Sequence, residues 1–269
     1  QEAAFYVKLV VDALAGPLRS PVLEFPFRSA SDRTLPPRSR VGRAHLLAAA
    51  EAVALNGWVR IAPDGGVQLA MPRSEMGQGV HTALAMLVAE ELDVALDAVQ
   101  LIEAGHDAIY GSVAMFTAGL PVQPEDVEPG RQSNRVRFGR WMTAKLAREL
   151  SINVTGGSSS IADLWQPLRL AAATARAQLL GAASLQWKLP VAELTAAGGR
   201  IGHGSGERAH YGELAEVAAR TPPGEVHLKP RSAWKLIGTS APRIDAADKS
   251  AGRALFGIDV RLPGMVYAV

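Results

Sequence analysis

Residues 74–82, Ser-Glu-Met-Gly-Gln-Gly-Val-His-Thr, place Gly77 and Gly79 on either side of Gln78. Glycines permit close backbone approach, and the free N–H groups and positive dipole end of a following helix favour a phosphate or another anion. Gln78 adds a donor and an acceptor at one fixed place. A second small-residue run, Gly156, Gly157, Ser158, Ser159 and Ser160, can wrap a phosphate with successive N–H groups and hydroxyls. Taken singly, each run reads more readily as a tight turn or a helix-capping linker. Both open onto long helices, however, and two such loops can converge on one extended anionic ligand.

Other polar residues carry less. Glu75 and His81 flank the first run in a way that suggests acid–base chemistry, but they read as bystanders, with His81 facing solvent in a first helical turn. His203 and His210 read as surface residues without metal-ligand spacing. Asn153-Val-Thr155 matches a glycosylation acceptor pattern. Arg131, Arg135, Arg137, Arg140, Lys145 and Arg148 form a basic helical insert with only Phe138 and Trp141 interleaved. A solvated helix face explains it better than nucleic-acid binding. No Ser-His-Asp arrangement, Walker loop or carboxylate dyad is present, so neither a catalytic nor a metal-ligating residue is assigned.

The elements that must hold the two glycine runs follow from pattern. "AHLLAAAEAVALNG", ending at Gly57, has helix-forming composition. Val59 and Ile61, then Val67 and Leu69, alternate about a Pro-Asp-Gly-Gly turn and predict a hairpin running into the first glycine loop. Val80, Leu84, Leu87, Val88 and Leu92 recur at helical spacing. "AVQLIEA" is strand-like and 105–130 reads as loop. A second long helix with apolar face Ile161, Leu164, Trp165, Leu168, Ala172, Ala175 and Leu179 is expected to begin near Asp163, because Pro167 is tolerated only in a first turn. A short hairpin and a third helix follow. From Pro222 the pattern turns to proline-punctuated strands and ends within an apolar strand.

With 269 residues, 48% of them apolar, the chain can bury a sizeable core. Its net charge of +2 does not imply nucleic acid. The absence of cysteine excludes disulfides, thiolate zinc sites and any iron–sulfur cluster held by this chain. "AFYVKLVVDALAG" is too short to span a bilayer. Residues 16–43, rich in proline and arginine, read as an extended arm.

Four segments, "PRSEMGQGVHTALAMLVAEELDV", "VTGGSSSIADLWQPLRLAAATAR", "YGELAEVAA" and "PRIDAADKSAGRALFGIDVRLPGMVYAV", together resemble the large, molybdopterin-binding subunit of the xanthine oxidase family. Within it they are most similar to the isoquinoline 1-oxidoreductase beta subunits and related bacterial aldehyde dehydrogenases. The resemblance covers most of 57–269. It implies an α+β fold: a mixed sheet with packed helices forming a molybdopterin-binding domain over 57–232, and the start of an alpha/beta hammerhead domain over 233–269. It carries nothing onto 1–56, which composition alone reads as a proline- and arginine-rich arm and a helix. It also implies that Gly77, Gln78 and Gly79, with Gly156, Gly157, Ser158 and Ser159, hold molybdopterin carrying molybdenum, as its cytosine dinucleotide. Implied partners are an iron–sulfur electron-transfer subunit, the remaining large-subunit sequence, and a small aldehyde or N-heterocyclic substrate hydroxylated with oxygen from water. Close relatives are often exported to the periplasm, but no leader is present to fix a compartment.

The family's general base is a glutamate in a Gly-x-Gly-Glu motif near the far C-terminus of the large subunit. "GSGE" at 204–207 shares its letters in the wrong segment, so Glu207 is not that base. The family's GGGFG-type loop is also absent. A non-catalytic cofactor-binding or assembly module is the alternative reading.

Overall fold

In a computed structural model of the chain, the structure describes residues 52–105, 107–122 and 132–266. The expected arm, most of the helix ending at Gly57, and Arg131 lie outside them.

Strands β1 (Val53–Ala54), β2 (Val59–Ile61) and β3 (Val67–Met71) form an antiparallel meander, with Val59 opposite Leu69 and Ile61 opposite Val67. The predicted hairpin is therefore present. The residues before Gly57 turn into a strand instead of ending a helix. Leu55 N–H donates to the Val59 carbonyl at 3.0 Å, and Asn56 Oδ1 accepts from the amides of Trp58 and Val59, both at 3.0 Å. Sheet pairing thus overrides alanine-rich helix propensity.

Every residue of β3 is buried. It leads through the first glycine loop into α1 (Val80–Leu92), which returns as β4 (Val99–Glu103) parallel to β3. This βαβ unit places the loop at the carboxyl ends of two parallel strands, where open sheets hold ligands. All five predicted apolar positions of α1 are buried.

Short helix α2 (Ala114–Ala118) lies within the expected loop, and α3 (Asn134–Glu149) carries the basic insert. Of α3 only Ala147 is buried, so the helix stands mostly in solvent.

Helix α4 (Ser159–Trp187) contains Pro167 within its length, and so begins ahead of the expected Asp163. Tertiary anchoring outweighs the proline rule here: Ser159 closes back on the Gly156 carbonyl through its N–H at 3.1 Å and its hydroxyl at 2.7 Å, and Ser160 is buried. Leu164, Leu168, Ala172, Ala175 and Leu179 face the core as expected, whereas Ile161 is exposed.

A second sheet, β5 (Thr195–Ala197), β6 (Arg200–Gly202) and β7 (Arg208–His210), is an antiparallel meander leading into α5 (Tyr211–Ala218). His210 Nδ1 caps that helix by accepting the Gly212 amide at 3.1 Å, and Glu213 completes a capping box. Buried Tyr211 donates its hydroxyl to the Leu92 carbonyl at 2.5 Å, tying α5 to the end of α1. At Gly212 a Cβ would lie 2.2 Å from the Pro63 carbonyl oxygen, so only glycine lets α5 meet the β2–β3 turn.

Beyond Pro222 the expected strands are absent among the described residues. The chain runs irregularly through short 3-10 turns and α6 (Ala246–Ser250). Leu255, Phe256, Ile258 and Val266 are exposed, with no strand beside them among the described residues. The fold is α+β, with a mixed four-stranded sheet and packed helices.

Two carboxylates near the end of α1 hold the returning chain. Glu90 Oε2 accepts the amides of Lys235, Leu236 and Ile237 at 2.8, 2.7 and 3.1 Å. Burial pushes its pKa up, but those amides and the Lys229 charge outweigh this and leave it below the ordinary value. Glu91 meets Arg169 at 2.7 Å, Arg176 at 3.2 Å and the Lys229 amide at 3.0 Å. Arg169 also lies 5.2 Å from the ring centres of both Trp165 and Trp234.

Candidate functional site

The two small-residue loops meet. Ser74, at the head of the first, donates its amide to Thr155 Oγ1, just ahead of the second, at 2.9 Å. Beneath this contact lies Arg73, whose side chain is fully buried. Its guanidinium donates to the carbonyls of Pro72 (3.2 Å) and Tyr110 (3.1 Å), to Asn153 Oδ1, and to Asp163 Oδ2 at 3.4 Å. Burial lowers the Arg73 pKa, against the upward pull of Asp163. Asp163 in turn accepts the amides of Val113 and Ala114 at 2.9 and 2.6 Å, capping α2. Ser112 bonds both the N–H and the carbonyl of Val154 at 3.0 Å. Arg73 and Asp163 therefore fasten β3, α2, α4 and the segment before Gly156 at one point.

In the second loop, Gly157 and Ser158 both take left-handed backbone angles (φ 56° and 55°) and are exposed. No side chain caps the N-terminus of α4, and Ser158 just ahead of it is exposed, whereas the N–H and hydroxyl of Ser159 are taken by the Gly156 carbonyl. A Cβ on Gly156 or Gly157 would meet nothing nearer than the Met115 side chain, at 3.8 and 3.9 Å. The donor set of this loop fits a phosphate group.

The first loop is organised differently. Gly77 and Gly79 are left-handed (φ 103° and 81°), and a Cβ on either would have no neighbour within 4 Å, leaving an open backbone face. Yet the amides that sequence reasoning left free for an anion are taken. Glu75 Oε1 accepts from Gly77 and Gly79 at 2.9 Å each, and Oε2 accepts from His81 at 3.1 Å. The Glu75 side chain is only 9% exposed. Burial raises its pKa, but the three amides and Arg243 outweigh that and hold it below the usual value. Glu75 is thus the internal anion of the helix end, not a bystander. Gln78, though exposed, is bonded back onto its own loop: its Oε1 accepts the Met76 amide at 2.6 Å and its Nε2 donates to the Ser74 carbonyl at 2.9 Å. His81 is half-buried instead of solvent-facing, and its Nε2 donates to the Arg73 carbonyl at 2.8 Å. Both contacts were missed by sequence reasoning, although an acid just ahead of a helix start is itself a signal for dipole pairing.

Behind the first loop, at the carboxyl ends of β3 and β4, a cleft of about 460 Å³ is lined by Met71, Arg73, His81, Ile102, Glu103 and Asn153, among others. Elsewhere, His203 bonds Glu193 at 3.1 Å and Ser205 in the β6–β7 region. Glu207 is an exposed residue of that turn. Asn153 serves Arg73. Among the described residues no group of three His, Asp or Glu is placed to hold a metal ion.

Residues 39–119, which include the first loop and the βαβ unit that carries it, match the molybdopterin cofactor-binding domain family. The chain is related to the molybdopterin-binding subunits of the molybdenum hydroxylases. It is 32% identical over 254 residues to the beta subunit of isoquinoline 1-oxidoreductase from Brevundimonas diminuta, a match covering 81% of this chain and 28% of that protein. It is 28% identical to the membrane-bound aldehyde dehydrogenase [pyrroloquinoline-quinone] of Gluconacetobacter polyoxogenes, over 78% of this chain and 23% of that one. Against a nicotinate dehydrogenase subunit from Pseudomonas putida the identity is 27%, over 78% of this chain and 14% of that one. The chain thus spans less than a third of the length of each of these relatives.

Proposed function

We propose that this chain is the cofactor-holding portion of a molybdenum hydroxylase large subunit. The observation that carries the reading is the junction of Ser74 with Thr155, which makes the two loops one site. Gly156, Gly157, Ser158 and Ser159 take the phosphate end, where exposed Gly157 and Ser158 and the α4 helix dipole face a ligand without a competing capping side chain, and Ser159 shapes the turn by closing on the Gly156 carbonyl. Gly77, Gln78 and Gly79 take the pterin end, where the open face of two left-handed glycines admits a flat group close to the backbone. Gln78 reaches a ligand by exchanging its bonds to Met76 and Ser74. The cofactor form proposed is the cytosine dinucleotide. When bound, the group supplies the redox chemistry by which an aldehyde or an N-heterocyclic carbon gains oxygen from water, with electrons leaving to an iron–sulfur partner subunit. The role of this chain's own residues is to bind and orient. The proposed arrangement assigns the molybdopterin-binding domain to 57–232 and has 233–269 lead into a hammerhead domain.

The reading is tested by assaying molybdenum and released pterin in the full chain purified from a host that makes the cofactor. Gly157→Asp places a carboxylate beside the phosphate end, where like charges cost several kcal/mol, and is expected to lower occupancy at least about tenfold. Gln78→Ala is expected to lower it less. Undiminished occupancy in both variants contradicts the assignment.

A further inference from the structure

Arg243 and Ile244, remote in sequence from the first loop, reach it and the helix that follows. Arg243 Nη1 donates to the Gly77 carbonyl at 2.5 Å, and Nη2 lies 3.3 Å from Glu75 Oε1, the oxygen that also accepts the Gly77 and Gly79 amides. The guanidinium is itself aimed by Asp245, which receives Nε at 2.9 Å and Nη2 at 2.7 Å, while Lys249 holds the same carboxylate at 2.5 Å. Next along the chain, the Ile244 amide donates to Thr82 Oγ1 at 3.1 Å, fixing the segment to the first turn of α1. Glu75 thus satisfies the loop's inward amides, and Arg243 satisfies an outward carbonyl while pairing with Glu75. Between them they bond both sides of a loop in which a Cβ on either glycine would find no neighbour within 4 Å.

We propose that Glu75 and Arg243 form one positioning unit that sets the shape of the 74–79 loop, so that the 242–245 segment is part of the cofactor site without contacting the cofactor. The proposal rests on the reading of that loop as the pterin end. Two charged side chains substitute for the packing the loop lacks, and a bidentate guanidinium suits this better than an ammonium because its fork reaches a carbonyl and a carboxylate together. The pair therefore works as a unit, and loss of either member releases the same three amides.

Residue-resolved hydrogen exchange on the full chain tests this without cofactor chemistry. In Arg243→Met, exchange at Gly77, Gly79 and His81 is expected to quicken about tenfold while Leu84–Leu92 of α1 stays as in the wild type. Glu75→Gln is expected to act similarly, and the double variant is expected to be no worse than Glu75→Gln alone. Arg243→Lys is expected to restore part of the protection. Pterin occupancy of purified Arg243→Met is expected to fall with the protection, while its unfolding midpoint is expected to stay close to that of the wild type. Unchanged exchange in Arg243→Met, or fully additive effects in the double variant, overturns the positioning unit. If exchange responds as expected but even the wild type retains no pterin, the unit stands and the pterin reading fails. If wild type and Arg243→Met retain pterin equally with unchanged exchange, the reading stands and the unit fails.

Discussion

Glu91→Ala is expected to destabilise the fold by about 3–5 kcal/mol, the cost of removing one partner from a buried ion pair. The Glu91 side chain is fully buried and faces Arg169 and Arg176, themselves 8% and 15% exposed. Its removal takes the carboxylate from two largely buried guanidinium groups, which keep only backbone acceptors, and leaves the Lys229 amide without its acceptor. The 227–237 segment, which Glu91 holds through Lys229 and Arg176 holds through the His227 carbonyl, should loosen with it. Glu91→Gln keeps the volume and one acceptor and should cost less. Urea unfolding of the three proteins measures the order. A Glu91→Ala variant within about 0.5 kcal/mol of wild type, the range of ordinary surface substitutions, contradicts this role of Glu91 in holding 227–237.

Arg73→Met is expected to cost a similar amount, about 3–5 kcal/mol, and also to separate the two loops. Methionine fills much of the space but donates no hydrogen bond, so Asp163 loses its cation and the Tyr110 and Pro72 carbonyls lose a donor. Asp163 still accepts the Val113 and Ala114 amides, so α2 should persist. The damage therefore centres on the Ser74–Thr155 contact. Pterin occupancy should fall further in Arg73→Met than the lost stability alone explains, as judged against Glu91→Ala, which is equally destabilised but distant in role. Equal occupancy in the two variants would contradict Arg73 as the clamp between the loops.

Much of this is legible in the sequence because it is local. The β2–β3 hairpin and α1 follow from alternation and from the spacing of Val80, Leu84, Leu87, Val88 and Leu92, and both small-residue loops stand out by composition. Long-range partners are not legible. Arg73 meets Asp163 and Arg243 meets Gly77 across 90 and 166 positions, and no local pattern encodes such pairings. Glu91 falls seven residues after Leu84, on the buried face, which is a signal that a charge there needs a partner, though not which one. Local rules also mislead. Pro167 points to a helix start close by, yet Ser159 and the buried Ser160 anchor α4 earlier. His81 and Glu75 look idle in sequence because their partners are backbone groups, invisible in side-chain patterns, and, for Glu75, an arginine 168 positions away. The strand pattern after Pro222 has the right alternation but no strand beside it to pair with among the described residues.

The central claim, that two loops joined at Ser74 and Thr155 make one site for one ligand, is tested most directly by comparing hydrogen exchange in pterin-loaded and pterin-free chain. Amides at 76–79 and at 157–161 are predicted to become protected together on loading, while those of the exposed basic helix α3 do not change. Bound pterin that protects only one of the two loops, or neither, would contradict it.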